Sequence, residues 1–290
     1  MVLCAGFGTR LRPLTDELPK PLLPYGDRSL LEHAVRSFQA AGFAEVVANV
    51  HHLAERFEAA LTGFGGSVAL VHEPVLRGTA GGIAGARRAL GPSPVLCTIG
   101  DVVLERIPTE LVDAAGFGGL VLAVAPRVAG SGTVGIGAHG EVVRLRGERF
   151  GQEVSGGDYI GLCALGDRAL TELPEMGCLV GDYALPVLRE GGEVRTFAYR
   201  GAYVLPGDDL GSYFASQLAW LAERGLASFV ADEAKVSRGV LVDETLIGAR
   251  ATVTGTGVLR RVVALPGATL EAPLESAIVA PSGRIIRIDS

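Results

Sequence analysis

The sequence predicts an α/β fold: a Rossmann-like, three-layer domain with a mixed, mostly parallel sheet, followed by a short β-helical tail. Two observations carry this. Over the first hundred of the 290 residues, short aliphatic runs alternate with helical stretches, the pattern of βαβ units with helices on both faces of a parallel sheet. From about Val236 the pattern changes. Leu241, Ile247, Val253, Leu259 and Leu265 recur every six residues, with Gly, Thr and Ala between them. That period suits a solenoid of about 18 residues per coil with one inward aliphatic per side. The competing reading is a few ordinary Val-rich strands. Two or three coils make a cap or a contact surface rather than a second catalytic domain. The expected division is 1–230 for the main domain and 231–290 for the tail.

The elements follow in order. Residues 1–4 are an apolar stub of strand character, short for a buried strand. Ser29-Leu-Leu-Glu32 has capping-box spacing and opens a helix to about Ala41. Leu30, Leu31, Ala34, Val35 and Phe38 form its apolar stripe, and Gly42 suits its end. Residues 46–50 read as a strand, 53–61 as a helix, 68–71 as a strand, 80–90 as a helix and 95–99 as a fully apolar strand. Further strands are expected at 120–124, 133–136, 142–145, 159–165 and 194–199. A helix at 210–223 carries Leu210, Phe214, Leu218 and Leu221 on one side.

Composition narrows the function. At 48% hydrophobic and 20% charged, the chain is neither disordered, collagenous nor a coiled coil. Its 41 glycines are about twice the usual share and imply many turns and close backbone approaches. A net charge of −6 argues against nucleic acid or a membrane surface as partner, though not against a small anion. Lys20 and Lys235 are the only lysines among 26 basic residues, so a lysine here marks a place that wants an ammonium. Cys4, Cys97, Cys163 and Cys178 show no C-x-x-C spacing and fit thiols in a reducing compartment. With no long apolar run and no signal-peptide pattern, the expected location is cytoplasmic.

The informative segment runs from Leu3 to Pro24: Leu-Cys-Ala-Gly-Phe-Gly-Thr-Arg-Leu-Arg-Pro-Leu-Thr-Asp-Glu-Leu-Pro-Lys-Pro-Leu-Leu-Pro. A strand runs into Gly6-Phe-Gly8-Thr9, where glycines let backbone N–H groups converge on an anion. Arg10, Arg12 and Lys20 add charge, and Pro19, Pro21 and Pro24 stiffen the return. This describes a polyphosphate cradle at the carboxyl end of the first strand, where open α/β sheets place ligands. The dinucleotide fingerprint is excluded because position 11 is Leu, and the P-loop pattern is absent.

These residues resemble the signature of the sugar-1-phosphate nucleotidyltransferases, or NDP-sugar pyrophosphorylases, and most of all their mannose-1-phosphate guanylyltransferase-like members. The resemblance runs to about residue 225. It implies a nucleotide site at Ala5, Gly6, Gly8, Thr9 and Arg10, and a base loop at Glu73, Gly78, Thr79, Ala80 and Gly81. It implies sugar-phosphate contacts at Lys20, Tyr159, Gly161 and Asp182, and a Mg²⁺ ion shared by Asp101 and Asp209. It also implies that the tail is a left-handed β-helix, a possible route to a homo-oligomer. In such a reaction a sugar-1-phosphate oxygen attacks the α-phosphorus of an NTP such as GTP, and pyrophosphate leaves. Both substrates are polyanions, so catalysis is mostly positioning and charge neutralisation. Mg²⁺ needs only one or two carboxylates beside phosphate oxygens. Arg10, Lys20 and Asp101 are then the catalytic residues.

The chain departs from the family pattern at three places. Cys4 stands where Ala is usual. Leu145-Arg-Gly-Glu-Arg149 lacks the frequent Glu-Lys-Pro, so that either Arg146 or Arg149 replaces its lysine or the contact is not used. Gly207 replaces an aromatic residue, and Asp208 beside Asp209 is an alternative metal ligand. His51-His52 reads as a structural or solvated pair, Arg87-Arg88 as a pair facing solvent on its helix, and His72-Glu73 lacks zinc spacing. Uridylyl transfer to N-acetylmuramate 1-phosphate and thymidylyl transfer to glucose 1-phosphate are alternative specificities. A non-catalytic, nucleotide-sugar-sensing homologue is the alternative of another class.

Overall fold

The structure, a computed structural model, describes residues 1–64, 66–91 and 94–289. The chain forms two compact units: Met1–Gly6 with Ala34–Val204, and Phe7–His33 with Leu205–Ser290.

The first unit is built on one ten-stranded sheet. Its strands, with the helices between them, are β1 (Val2–Leu3), α1 (Leu30–Ala40), β2 (Val46–Val50), α2 (Ala54–Leu61), β3 (Val68–His72), α3 (Gly78–Ala86) and β4 (Val95–Ile99). There follow α4 (Glu110–Ala114), β5 (Leu120–Arg127), β6 (Val134–Ile136), β7 (Val142–Leu145), β8 (Glu148–Arg149), β9 (Ser155–Leu165), α5 (Asp167–Glu172), α6 (Leu185–Arg189) and β10 (Val194–Ala198). The order is β8-β7-β6-β9-β4-β1-β2-β3, with β5 paired to β9 and to β10. Strands β4, β1, β2 and β3 are parallel neighbours, while β9 runs antiparallel to β4. The sheet is thus mixed, as expected.

Local chemistry explains the elements. Ser29 Oγ accepts from Glu32 N at 3.1 Å, so the expected cap opens α1. Every residue of β2 is buried, which is why Val46–Val50 reads as a continuous run rather than an alternating one. Helix α3 begins at Gly78, two residues before the expected start, because its glycines have little helix propensity yet are packed against neighbouring backbone. Helices α4, α5 and α6 are additional to the sequence reading. Each is five or six residues long, too short to show a periodic stripe.

The second unit holds the segment after β1, which makes three short 3₁₀ turns at Thr9–Leu11, Leu14–Asp16 and Lys20–Leu22. It also holds α7 (Leu210–Glu223) and a stack of coils: β11 (Phe229–Val230), β12 (Lys235–Val236), β13 (Val240–Asp243), β14 (Leu246–Ile247), β15 (Thr252–Ala264), β16 (Thr269–Val279) and β17 (Ile285–Arg287). β12, β13 and β14 form three sides of one coil, and all pair in parallel with β15 of the next. Each residue of this coil faces the one 17 further on: Val236 opposite Val253, Leu241 opposite Val258, Ile247 opposite Ala264; between β15 and β16 the offset is 17 as far as Gly255 and 15 from Leu259 on. Three ion pairs, Arg250–Glu233, Arg260–Asp243 and Arg261–Glu244, repeat the offset of 17 along the outside.

The coil is therefore one residue shorter than three equal sides of six. Ile247, Val253, Leu259 and Leu265 point inward as expected, but Leu241 is 68% exposed. Stepping back six residues from Ile247 crosses the short side, and on a strand a one-residue slip reverses the face. Val240 and Val242 pack inward in its place.

Candidate active site

Parallel β1, β2, β3 and β4 deliver their carboxyl ends to one edge of the sheet, bringing together Ala5 and Gly6, His51, Glu73 and Asp101. Asn49 ties this edge together from within. It is buried; its Oδ1 accepts from Cys4 N at 3.0 Å and its Nδ2 donates to Glu73 Oε1 at 2.7 Å. The other oxygen of Glu73 accepts from Arg77 N at 3.1 Å. Glu73, expected beside the base, is thus buried and braces the start of α3 against the end of β1. A Cβ at Gly82 would sit 2.6 Å from Asn49 Nδ2 and 2.8 Å from Glu73 Oε1, so the bracket needs glycine there. The sequence reading overlooked Asn49. A single amide inside the apolar run Val46–Val50 was the available signal, because a buried polar group must be hydrogen-bonded.

The expected base-loop residues Gly78, Thr79, Ala80 and Gly81 form the first turn of α3. Gly78 has φ +75°, and a Cβ there would meet Gly177 O at 2.5 Å. Gly177 O accepts from Ala80 N at 2.9 Å, and Thr79 Oγ1 accepts from Leu179 N at 2.7 Å. The segment around Gly177 is thereby stitched to this helix end. Asp182 follows it, exposed, with Oδ2 accepting from Cys178 N at 2.6 Å.

Asp101 is half-buried, one residue after Gly100, whose N–H donates to Leu3 O at 2.8 Å. Burial first, and then the negative charge of Asp101, pushes the Cys4 thiol far above its ordinary range. Tyr159 and Gly161 lie on β9 at a bulge in its pairing with β5. Gly161 has φ +82° and packs against the Ile99 side chain. Burial keeps the Tyr159 phenol well above its usual pKa, so it is a neutral hydroxyl.

In the second unit, Gly8 has φ +60°, and a Cβ there would fall 2.9 Å from Thr15 Cγ2 and 3.2 Å from Lys20 Cβ. Thr15 Oγ1 donates to Gly8 O at 2.9 Å. Arg10 and Lys20 then converge on one carboxylate: Arg10 Nη1 reaches Asp208 Oδ2 at 2.7 Å and Lys20 Nζ reaches Asp208 Oδ1 at 2.8 Å. The Arg10 side chain is 72% exposed and that of Lys20 only 15%. Lys20's hydrogen bond, helped by the charges of Lys20 and Arg10, holds the Asp208 carboxyl below its usual range. Asp209 has another task. Its Oδ1 accepts from Ser212 N at 2.8 Å while Asp209 N donates to Ser212 Oγ at 3.2 Å, a capping box that starts α7. The Ser212 backbone bond lowers the Asp209 pKa.

Among the described residues no group of three or more His, Cys, Asp or Glu side chains is placed to hold a metal. Mg²⁺ does not require one, since it keeps waters and takes phosphate oxygens beside one or two carboxylates. Asp101 is a hard oxygen donor at the ligand-binding edge of the sheet and fits that role. Asp209 would have to share a carboxylate already capping α7. Among the described residues no helix is long and apolar enough to cross a membrane.

Comparison with known proteins assigns this α/β domain to a family. Residues 1–151 match the MobA-like NTP transferase domain, and the chain belongs to that family. It is 42% identical over 110 residues to the N-acetylmuramate alpha-1-phosphate uridylyltransferase of Neisseria meningitidis serogroup B, a match covering 36% of this chain and 47% of that protein. It is 30% identical over 175 residues to the mannose-1-phosphate guanyltransferase of Pichia angusta, covering 55% of this chain and 48% of that one. The chain thus spans about half the length of these relatives. The crystal structure of HddC from Yersinia pseudotuberculosis complexed with GMP-PN has the same fold, with TM-score 0.62 at 17% identity over 76% of this chain and 97% of that one.

Proposed function

We infer that the protein transfers a nucleotidyl group from an NTP to a sugar 1-phosphate. One observation carries the reading: Arg10 and Lys20, ten residues apart in a glycine- and proline-rich loop, each grip one of the two oxygens of a single carboxylate. Two cations aimed at one small oxyanion form a phosphate-sized receptor, and a phosphate entering it displaces Asp208 from the pair.

In the reaction, a sugar-phosphate oxygen forms a bond to the α-phosphorus as the bond to the β-phosphate oxygen breaks. Lys20 compensates charge at the α-phosphate. Arg10, the more exposed of the two, holds the departing pyrophosphate. The N–H groups around Gly6 and Gly8 line the triphosphate, and the Gly78–Gly81 turn flanks the base. Tyr159, Gly161 and Asp182 face the sugar. Asp101 is the carboxylate proposed for Mg²⁺, which when bound adds positive charge at the phosphate oxygens. The nucleophile is already an anion, so no general base is required.

The proposed pair is GTP with mannose 1-phosphate, in line with the mannose-1-phosphate guanyltransferase of Pichia angusta. The 42% identity with the Neisseria protein supports a second reading, UTP with N-acetylmuramate 1-phosphate. Pyrophosphate release from a panel of NTPs and sugar phosphates with Mg²⁺ tests both. One pair should stand out, and Asp101→Asn should cut its turnover at least ~10²-fold with the melting temperature unchanged. Release from no pair, despite nucleotide binding, would identify a sensor rather than an enzyme.

A further inference from the structure

The loop that carries Arg10 and Lys20 is clipped at its middle by the far end of the chain. Glu17 Oε2 accepts from Ser282 N at 2.8 Å, and Glu17 Oε1 accepts from Ser282 Oγ at 2.7 Å. Ser282 sits in the tight turn between β16 and β17. That turn is itself fixed: Gly283 N donates to Ala280 O and Ala280 N to Arg284 O, each at 2.9 Å. The antiparallel pairing of Ile278 with Ile286 closes it.

From Glu17 the constraint passes inward through short links. Glu17 N donates to Leu14 O at 3.1 Å, ending the turn Leu14–Asp16. Thr15, inside that turn, donates to Gly8 O, and the space at Gly8 is bounded by Thr15 and by the Cβ of Lys20. The turn thus touches both the approach to Arg10 and the base of Lys20. The loop's exit is held separately by α7. Tyr213 Oη and Gln217 Nε2 each donate to Pro24 O at 2.8 Å.

We propose that Glu17 is a positioning residue: the last turn of the coil stack, through Ser282, fixes the loop that presents Arg10 and Lys20 to the phosphates. The proposal rests on the nucleotidyltransferase reading for its kinetic arm, but not for its structural arm. It gives the tail a task in the chemistry that a passive cap lacks. Two hydrogen bonds to an ionised acceptor are strong enough to hold a loop that has no long helix or strand of its own.

The test compares Glu17→Ala, Ser282→Ala and Ser282→Thr with the parent chain. Amide hydrogen exchange over residues 9–24 should quicken about tenfold in Glu17→Ala, with exchange in β15 and β16 unchanged. With the productive substrate pair, KM for the NTP should rise about tenfold while KM for the sugar phosphate holds. Ser282→Ala should share part of the defect, and Ser282→Thr, which keeps the hydroxyl, should restore it. A lowered melting temperature with unchanged exchange and unchanged KM would reduce the clip to a stability contact and overturn the proposal. If the parent chain turns over no pair, the functional reading fails, and the exchange arm still decides this one.

Discussion

Lys20 is the residue on which the proposed chemistry turns. The chain has one other lysine, and its remaining basic residues are arginines. The structure supplies a reason for the exception. The Lys20 side chain is 15% exposed, threads past Gly8 and ends on one oxygen of Asp208, where a compact ammonium fits and a planar guanidinium would not. Arg10 works under the opposite constraint, reaching the same carboxylate through solvent. Lys20→Arg should therefore keep the charge and lose the geometry. We expect kcat/KM to fall about 10²-fold, with little change in melting temperature, measured by the pyrophosphate assay and a thermal scan. Unchanged kinetics would mean that any cation suffices there. The loop's glycines, the cations Arg10 and Lys20 and the acid Asp101 stand out in the sequence as candidates because they are chemically unusual for their setting. The work of Asp208 does not. Its neighbour Asp209 has the helix-capping position three residues before Ser212, and only the fold shows which carboxylate caps and which meets the cations.

At the scale of elements, the coil stack offers the sharpest test, because two leucines one six-residue step apart from Ile247 and Val253 have opposite fates. Leu259 is fully buried among Val253, Val262, Leu270 and Leu274, whereas Leu241 projects outward. Leu259→Ala should destabilise the protein by about 2–5 kcal/mol, the usual cost of a buried leucine, whereas Leu241→Ala should stay within about 0.5 kcal/mol. Equal losses, read from denaturant curves, would mean that the coil repeats every 18 residues and not 17. The same comparison shows what periodicity can and cannot give. It located the solenoid and most of its inward side chains. It missed the short side, since one deleted residue leaves the aliphatic spacing intact while turning a strand over. In the sheet, Val46–Val50, fully buried, and Val95–Ile99, buried but for its last residue, were legible to the residue. The long β9 was legible only from Tyr159, because Ser155, Gly156, Gly157 and Asp158 have poor strand propensity and are held there by β5 and β6.

The whole molecule is interleaved: the chain enters the second unit at Phe7, leaves it after His33 and returns at Leu205. Neither unit is one continuous stretch. If the first unit unfolded alone, the second would have to close residues 34–204 as a flexible loop, at a cost of about 5 kcal/mol. That is comparable to the whole stability of many domains, so the second unit should not outlast the first. The single tryptophan makes this measurable. Trp220 lies in the second unit, buried, with Gly26 packed on its ring, Phe229 edge-on at 5.6 Å and the Arg224 guanidinium at 4.4 Å. Its fluorescence therefore reports the unit that holds Arg10 and Lys20, while far-UV circular dichroism reports the sheet and helices of both. In guanidinium the two signals should trace one transition. A saturating NTP, at ~100 times its Kd, should move both midpoints together by about 2.7 kcal/mol of added stability. If the tryptophan signal instead persisted beyond the loss of circular dichroism, the second unit would be self-sufficient and the chain's interleaving would carry no energetic coupling.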